Sequence, residues 1–202
     1  MTDLRDYQAQ AVEEIEKAIK ALYVLPTGGG KTVIAASIMA RGERVLMLTH
    51  RREILRQTSL KMAIDHGLIQ AGLNIDLEYP VQVASIQTLW ARCMRSNKVP
   101  LPPADLIIID EAHHIAARTW TKILEAYPNA RRVGLTATPC RADGRRLGNY
   151  FDQLILGPQI PPRPAPPPIE PNREVLSWVR SRIIPSPRHS RKRVPHEQAQ
   201  QG

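Results

Sequence analysis

The spacing of apolar positions changes along the chain, and each change predicts an element. Leu4, Tyr7, Ala11, Ile15, Ala18 and Leu22 recur every three or four residues, with Glu13, Glu14, Glu16, Lys17 and Lys20 between them. That period predicts an amphipathic helix. A short apolar strand at 21–25 follows, then Pro26-Thr27-Gly28-Gly29-Gly30-Lys31-Thr32, then a helical stretch at 33–41. Runs rich in Val, Ile or Leu at 44–49, 81–84, 105–109 and 132–135 have the length and composition of strands buried on both faces. Between them, 53–64 and 120–127 return to helical spacing, the second setting Trp120, Ile123, Leu124 and Tyr127 on one face. Strands interleaved with helices predict an α/β class: a mostly parallel sheet with helices on both sides, in three layers.

The pattern stops at Gly157. Pro158-Gln159-Ile160-Pro161-Pro162-Arg163-Pro164-Ala165-Pro166-Pro167-Pro168 cannot form helix or sheet interior. A short helix around Val175, Leu176, Trp178 and Val179 is conceivable, but the Pro/Arg-rich remainder, with Arg191-Lys192-Arg193, reads as disordered. The expected organisation is one domain at 1–157 and a basic tail at 158–202. The formal charge of +9 divides accordingly: residues 157–202 hold 8 basic and 3 acidic side chains, a surplus of five, leaving four for the body. A basic surplus points to a polyanionic partner without naming it. No run approaches the roughly 20 apolar residues of a membrane helix. The polar start Met1-Thr2-Asp3-Leu4-Arg5-Asp6 is unlike a secretory signal, and Cys93 and Cys140 lack metal or redox spacing. A cytoplasmic protein with two reduced thiols is expected.

Two segments carry chemistry. In the loop at 26–32, Gly28, Gly29 and Gly30 permit close approach of the backbone to a phosphate, Lys31 supplies a cation and Thr32 a hydroxyl for Mg, all at the start of a helix whose dipole favours anions. Leu25 stands where the strict G-x-x-x-x-G-K-[ST] pattern has its first glycine. The second segment is Leu106-Ile107-Ile108-Ile109 leading into Asp110-Glu111-Ala112-His113, which brings two carboxylates to the C-terminal tip of a buried strand. Parallel α/β sheets form their ligand crevices there. Asp110 suits Mg, held through water, and Glu111 suits polarisation of a water attacking a γ-phosphate. His113-His114 lies beside these acids, but neither an HExxH helix nor a cysteine cluster supports zinc, and His114 reads as a surface or packing residue.

With these motifs in this order, residues 3 to about 157 resemble the first RecA-like domain of a superfamily-two DEAD/DEAH-box helicase, of the broad group that includes restriction-enzyme translocase subunits and phage-borne helicases. The resemblance implies a RecA-like P-loop NTPase fold, ATP and Mg as cofactors, and a catalytic set of Lys31, Asp110, Glu111 and His113. Thr27-Gly28-Gly29-Gly30-Lys31-Thr32 is similar to the family's phosphate loop, and Thr32 and Asp110 would hold the metal. Leu4-Arg5-Asp6-Tyr7-Gln8 resembles the adenine-reading Q motif, which implies base contacts from Arg5 and Gln8; without it both read as helix-surface residues. Thr49-His50-Arg51-Arg52-Glu53-Ile54-Leu55-Arg56-Gln57 resembles motif Ia and Ala84-Ser85-Ile86-Gln87-Thr88-Leu89 the next strand-end motif, implying nucleic-acid backbone contacts by Arg51, Arg52, Ser85 and Gln87. Leu135-Thr136-Ala137-Thr138-Pro139 resembles motif III, implying that Thr136 and Thr138 couple γ-phosphate state to strand movement.

Through the family the expected partner is nucleic acid, DNA rather than RNA, together with a second motor domain or subunit in trans whose arginine completes the ATP site. Arg141-Ala142-Asp143-Gly144-Arg145-Arg146-Leu147, Phe151-Asp152 and Gly157-Pro158 look like the family's exit from this domain, after which the resemblance ends. That break predicts truncation or a shifted reading frame, with a genuine basic tail or proline-rich docking segment as the competing explanation. Two functions follow: a motor ATPase, incomplete alone, or a non-catalytic ATP-gated module whose tail recruits a partner.

Overall fold

The computed structural model describes residues 4–50, 64–138 and 147–158. The chain divides into two units, Met1–Pro161 and Pro162–Gly202, and every described residue lies in the first. Of the helix expected at 53–64 only Ile64 is described, in a bend, and expectations for Arg51, Arg52, Cys140, the exit segment at 141–146 and most of the tail fall outside the described residues.

Seven strands form one sheet: β1 (Lys20–Val24), β2 (Val45–Thr49), β3 (Gly67–Ile69), β4 (Val81–Ser85), β5 (Leu106–Asp110), β6 (Arg131–Thr136) and β7 (Gln153–Leu156). Their order is β3-β4-β2-β5-β6-β1-β7, and every neighbouring pair is parallel. Helices α1 (Asp6–Lys17) and α2 (Lys31–Met39) cover one face. The other face is covered by α3 (Ile86–Leu89), which runs directly into a π-helical segment (Trp90–Arg95), and by α4 (Arg118–Glu125). Alternation within each strand divides the core. Ile108 packs with Val12, Ile15, Ile34 and Ile38 beneath α1 and α2, whereas Ile107 and Ile109 pack with Trp120, Ile123 and Leu124 on the opposite side. β5 is buried at all five positions, which explains why its sequence is continuously aliphatic.

The structure corrects the first helix. Its apolar spacing extends through Leu22, but the helix ends at Lys17, Ala18 is extended, and Leu22 belongs to β1. Arg131, at the start of β6, supplies the reason. Its Nη2 donates to the carbonyls of Ile15, Glu16 and Ala18 at 3.3, 2.8 and 3.2 Å, closing the helix C-terminus with a cation. Likewise α4 stops before Tyr127, since Pro128 disfavours helix at the residue preceding it. Tyr127 remains buried past the helix end, donating its hydroxyl to Pro102 O at 2.8 Å.

Two strands were not expected from the pattern. β3 is three residues long, too short to show a period. β7 is an edge strand in which Ile155 alone is buried while Gln153, Leu154 and Leu156 are exposed, so it lacks the buried-strand signature. Among the described residues no helix is long and apolar enough to cross a membrane.

Candidate nucleotide-binding site

Because all the strands run the same way, the segments after β1, β2, β4, β5 and β6 emerge on one rim of the sheet. The motif residues converge there. β6 lies between β1 and β5, so Thr136 ends its strand between the glycine loop and Asp110.

The loop after β1 is held in a shape that only glycine adopts freely. Gly28 and Gly30 have φ of 84° and 89°, and Gly30 is the N-cap of α2. A Cβ on Gly30 would collide with Gln8 Nε2. Helix α1 grips this loop from the side: Tyr7 Oη donates to Gly29 O at 2.8 Å, and Gln8 Nε2 approaches the same carbonyl at 3.5 Å. Gln8 Oε1 accepts from Arg5 N at 3.0 Å. Gln8 is 4% exposed, which overturns its reading as a helix-surface residue, while Arg5 is exposed with Nη1 3.5 Å from Tyr7 Oη. The sequence marks Tyr7 as an apolar helix position and as part of the Leu4-Arg5-Asp6-Tyr7-Gln8 motif, but a phenol next to Gln8 gives no hint that it reaches Gly29.

Lys31 begins α2 and donates to Leu25 O at 3.0 Å. Burial holds its pKa below the ordinary lysine value, and the carboxylates of Glu111 and Asp110 partly oppose that shift. These three charges therefore share one field. Thr32 follows in the first turn of α2, and Thr27 is exposed at the loop tip.

Asp110 is the last residue of β5 and 8% exposed. Burial pushes its carboxyl above the usual aspartate range and neighbouring Glu111 adds to the rise; the hydrogen bond from Thr49 and the charge of Lys31 pull the other way. Thr49 Oγ1, at the end of β2, donates to Asp110 Oδ2 at 3.3 Å. Glu111 is in the left-handed region, with φ 51° and ψ 54°, and leads into a 3₁₀ turn, Ala112–His114. An L-residue there carries about 1–2 kcal/mol of strain, and such outliers concentrate at functional sites.

His113 joins the two strand ends. Its Nδ1 lies 3.4 Å from Glu111 Oε2 and 3.1 Å from Thr136 Oγ1. Thr136 Oγ1 donates to Thr138 O at 3.0 Å and accepts from Thr138 N at 3.1 Å. With that hydroxyl proton directed at Thr138, His113 Nδ1 is the donor to Thr136, a tautomer that the adjacent Glu111 carboxylate also favours.

Of the residues expected to meet nucleic acid, Ser85 ends β4 and is 2% exposed; its hydroxyl donates to Gln87 Oε1 at 2.9 Å, and Gln87 is exposed. Sequence reasoning missed a further contact on this rim. His50 and His114 meet edge to face, ring centroids 4.8 Å apart and planes at 63°, and His114 lies 4.1 Å from His113. Among the described residues, no group of three or more His, Cys, Asp or Glu is arranged to hold a metal by itself.

A parallel sheet with a glycine loop leading into a helix after one strand, and a paired carboxylate after another, is the nucleotide-binding domain of a P-loop NTPase. Its particular family follows from comparison. The family described as "Type III restriction enzyme, res subunit" matches residues 1–141, and the chain belongs to it. It is a superfamily-two helicase first RecA-like domain. The chain is 32% identical over 183 residues to a putative ATP-dependent helicase IRC3 of Saccharomyces cerevisiae, covering 75% of this chain and 26% of that protein. It is 32% identical over 164 residues to a DNA 3'-5' translocase XPB2 of Sulfurisphaera tokodaii, covering 78% and 35%. Among solved structures, the Pyrococcus furiosus Hef helicase domain shares the fold with a TM-score of 0.63 at 23% identity, over 76% of this chain and 37% of that one. The bacteriophage T4 UvsW helicase does so at 0.62 and 18%, over 77% and 60%. The chain thus spans about a quarter to a third of the curated relatives it matches.

Proposed function

We propose that this chain is the ATP-binding half of a DEAH-type DNA helicase or translocase motor, which binds Mg-ATP and single-stranded DNA on one rim and requires an arginine from a second motor domain or subunit to turn ATP over quickly. The observation that carries the reading is the convergence of the glycine loop, buried Asp110 and strained Glu111 within one electrostatic field.

The residues suit the cofactors. Gly28 and Gly30 in the left-handed region at the start of α2 form a cradle for a phosphate. Asp110 and Thr32 are too few to bind a cation alone, but Mg takes one or two protein ligands, keeps waters and fills its shell with phosphate oxygens. Bound there, Mg would neutralise charge developing on the phosphate oxygens. Lys31 would exchange Leu25 O for phosphate oxygens. Glu111 would accept a proton from, and so orient, the attacking water, with His113 holding that carboxylate against Thr136. Thr136 and Thr138 would pass the state of the γ-phosphate to the strand-binding side, where Gln87, Ser85, Arg51 and Arg52 contact backbone phosphates. Arg5 and Gln8 would read the adenine from the N-terminus of α1. DNA rather than RNA is supported by relatives described as DNA translocases and helicases.

Supplying or removing such an arginine changes rates by roughly 10³ to 10⁵ in related phosphoryl-transfer enzymes. The purified chain is therefore expected to bind Mg-ATP yet hydrolyse it near background, with and without oligothymidylate. Fast DNA-stimulated turnover by the chain alone would refute the need for an arginine in trans. Failure of Mg-ATP to raise its melting temperature would refute the nucleotide site itself.

A further inference from the structure

His114 and His50 belong to no step described above, yet they connect its two sides. Among the described residues, two contacts tie the 49–50 strand end to the nucleotide side. One contact is polar and direct, from the Thr49 hydroxyl to Asp110. The other passes through rings: His50 to His114 at 4.8 Å, His114 to His113 at 4.1 Å, then His113 Nδ1 to Thr136 Oγ1 at 3.1 Å. Among the described residues, the buried His50 Nδ1 has no hydrogen-bond partner. His113 is tied to the left-handed Glu111 through the 3₁₀ turn that also carries His114. His113 and His114 are adjacent in that turn, so a displacement of one is passed to the other through a single peptide unit.

We propose that His50 and His114 are positioning residues that couple the two ligand sites: their edge-to-face contact links the strand end expected to hold nucleic-acid phosphates to the His113–Thr136 contact beside the γ-phosphate. Aromatic edge-to-face packing is directional, so the pair has a preferred relative tilt. A ligand that reorients Thr49 and His50 changes that tilt, and the change reaches Thr136 through one turn of backbone. Coupling between sites is reciprocal, so nucleotide must alter nucleic-acid affinity by the same factor. The inference rests on the reading of this rim as a joint ATP and DNA site.

The test measures the affinity of a non-hydrolysable ATP analogue with Mg, with and without saturating oligothymidylate, in the wild-type chain and in His114→Ala, His50→Ala and His114→Phe. Coupled sites typically differ by about 5- to 150-fold, so the wild-type affinity should change at least about fivefold on adding DNA. His114→Ala should bind each ligand alone within about twofold of wild type and show no coupling, and His50→Ala should likewise show no coupling once its own affinity for DNA has been measured. His114→Phe, which keeps the ring, should retain it. His114 is exposed, so its replacements leave the core intact. Full coupling in His114→Ala, or none in His114→Phe, overturns the ring contact as the link while leaving the joint site standing. A wild-type chain that binds both ligands without coupling also overturns it. A wild-type chain that binds neither ligand removes the underlying reading, and this inference with it.

Discussion

The two edges of the sheet use similar residues to opposite ends. At the edge where the strands begin, charge closes structure: Arg131 caps α1, Arg132 Nη2 donates to Leu124 O in the last turn of α4 at 3.1 Å, and Arg44 pairs Asp105 through two bonds of 2.7 and 2.9 Å. At the edge where the strands end, charge is held ready. Lys31 meets one carbonyl and has its pKa lowered by burial, Asp110 is buried with its carboxyl pKa raised, and Glu111 is in a strained backbone conformation. A polar residue flanking a strand in this fold is therefore structural or functional according to which edge it occupies, and substitutions at the two edges should have opposite signatures.

The largest effect belongs to the strand-end edge. Lys31→Ala removes the cation proposed for the β- and γ-phosphates, and with it the expected stabilisation by Mg-ATP, about 2.7 kcal/mol when ligand is a hundredfold above its dissociation constant. Thermal melts with and without Mg-ATP should separate for the wild type and coincide for the variant. A variant still stabilised by Mg-ATP would place the nucleotide elsewhere.

At the opposite edge, Arg131→Ala should do the converse. Hydrogen bonds from a charged group contribute roughly 1.5–3 kcal/mol when buried, and Arg131 is half-buried, so a loss of about 1–2 kcal/mol is expected. Urea unfolding should register that loss while the Mg-ATP increment stays at its wild-type size. Were the increment to fall with it, the two edges would not be separable.

The sequence made the strand-end edge legible because its chemistry is local: a glycine loop between strand and helix, and two acids after an aliphatic run, are contiguous patterns. The strand-start edge was illegible for the opposite reason. Arg131 and Ala18 are 113 residues apart, and nothing near Arg131 says that it ends α1, so the helical apolar spacing runs on into Leu22 of the strand expected at 21–25. The same limit hid Tyr7 against Gly29, Thr49 against Asp110 and His50 against His114, each a contact across the sheet rim between residues far apart in the chain. β7 escaped because a single buried position, Ile155, shows no period.

A smaller effect should appear at Glu111. Replacing it with Gly relieves a left-handed L-residue, a gain of about 1–2 kcal/mol, partly offset by glycine's greater freedom in the unfolded chain, about 0.5–1 kcal/mol. Glu111→Gly should therefore be more stable than wild type by up to about 1.5 kcal/mol while losing any residual ATP turnover. Glu111→Gln keeps the side-chain shape and the backbone strain, so the stability difference between the two variants measures the strain less the cost of glycine's added freedom. Equal stability would mean that the strain only matches that cost.

The smallest effect is a pH dependence at Asp110. Burial, reinforced by Glu111, raises its pKa in the folded chain above that of an unfolded aspartate, about 3.9. A raised carboxyl means that the folded state binds the proton more tightly than the unfolded state, so the burden of the buried charge is fully present above the folded pKa and disappears as pH falls through it to below about 3.9. Asp110→Asn never carries that charge. Without nucleotide it should therefore be more stable than wild type near neutrality, with a gap that narrows on acidification through that window and closes below it. Mg should reverse the order, because a cation held by Asp110 turns the same charge into a ligand. In a Glu111→Gln background the neutral-pH gap should shrink, since one of the two sources of the shift is gone. Denaturant titrations from neutral pH to about pH 3.5, covering the window set by the unfolded value, would show it. A gap independent of pH would mean that Asp110 is not the group responsible, and a wild-type chain more stable than Asp110→Asn without nucleotide would mean that Thr49 and Lys31 outweigh the burial of its charge.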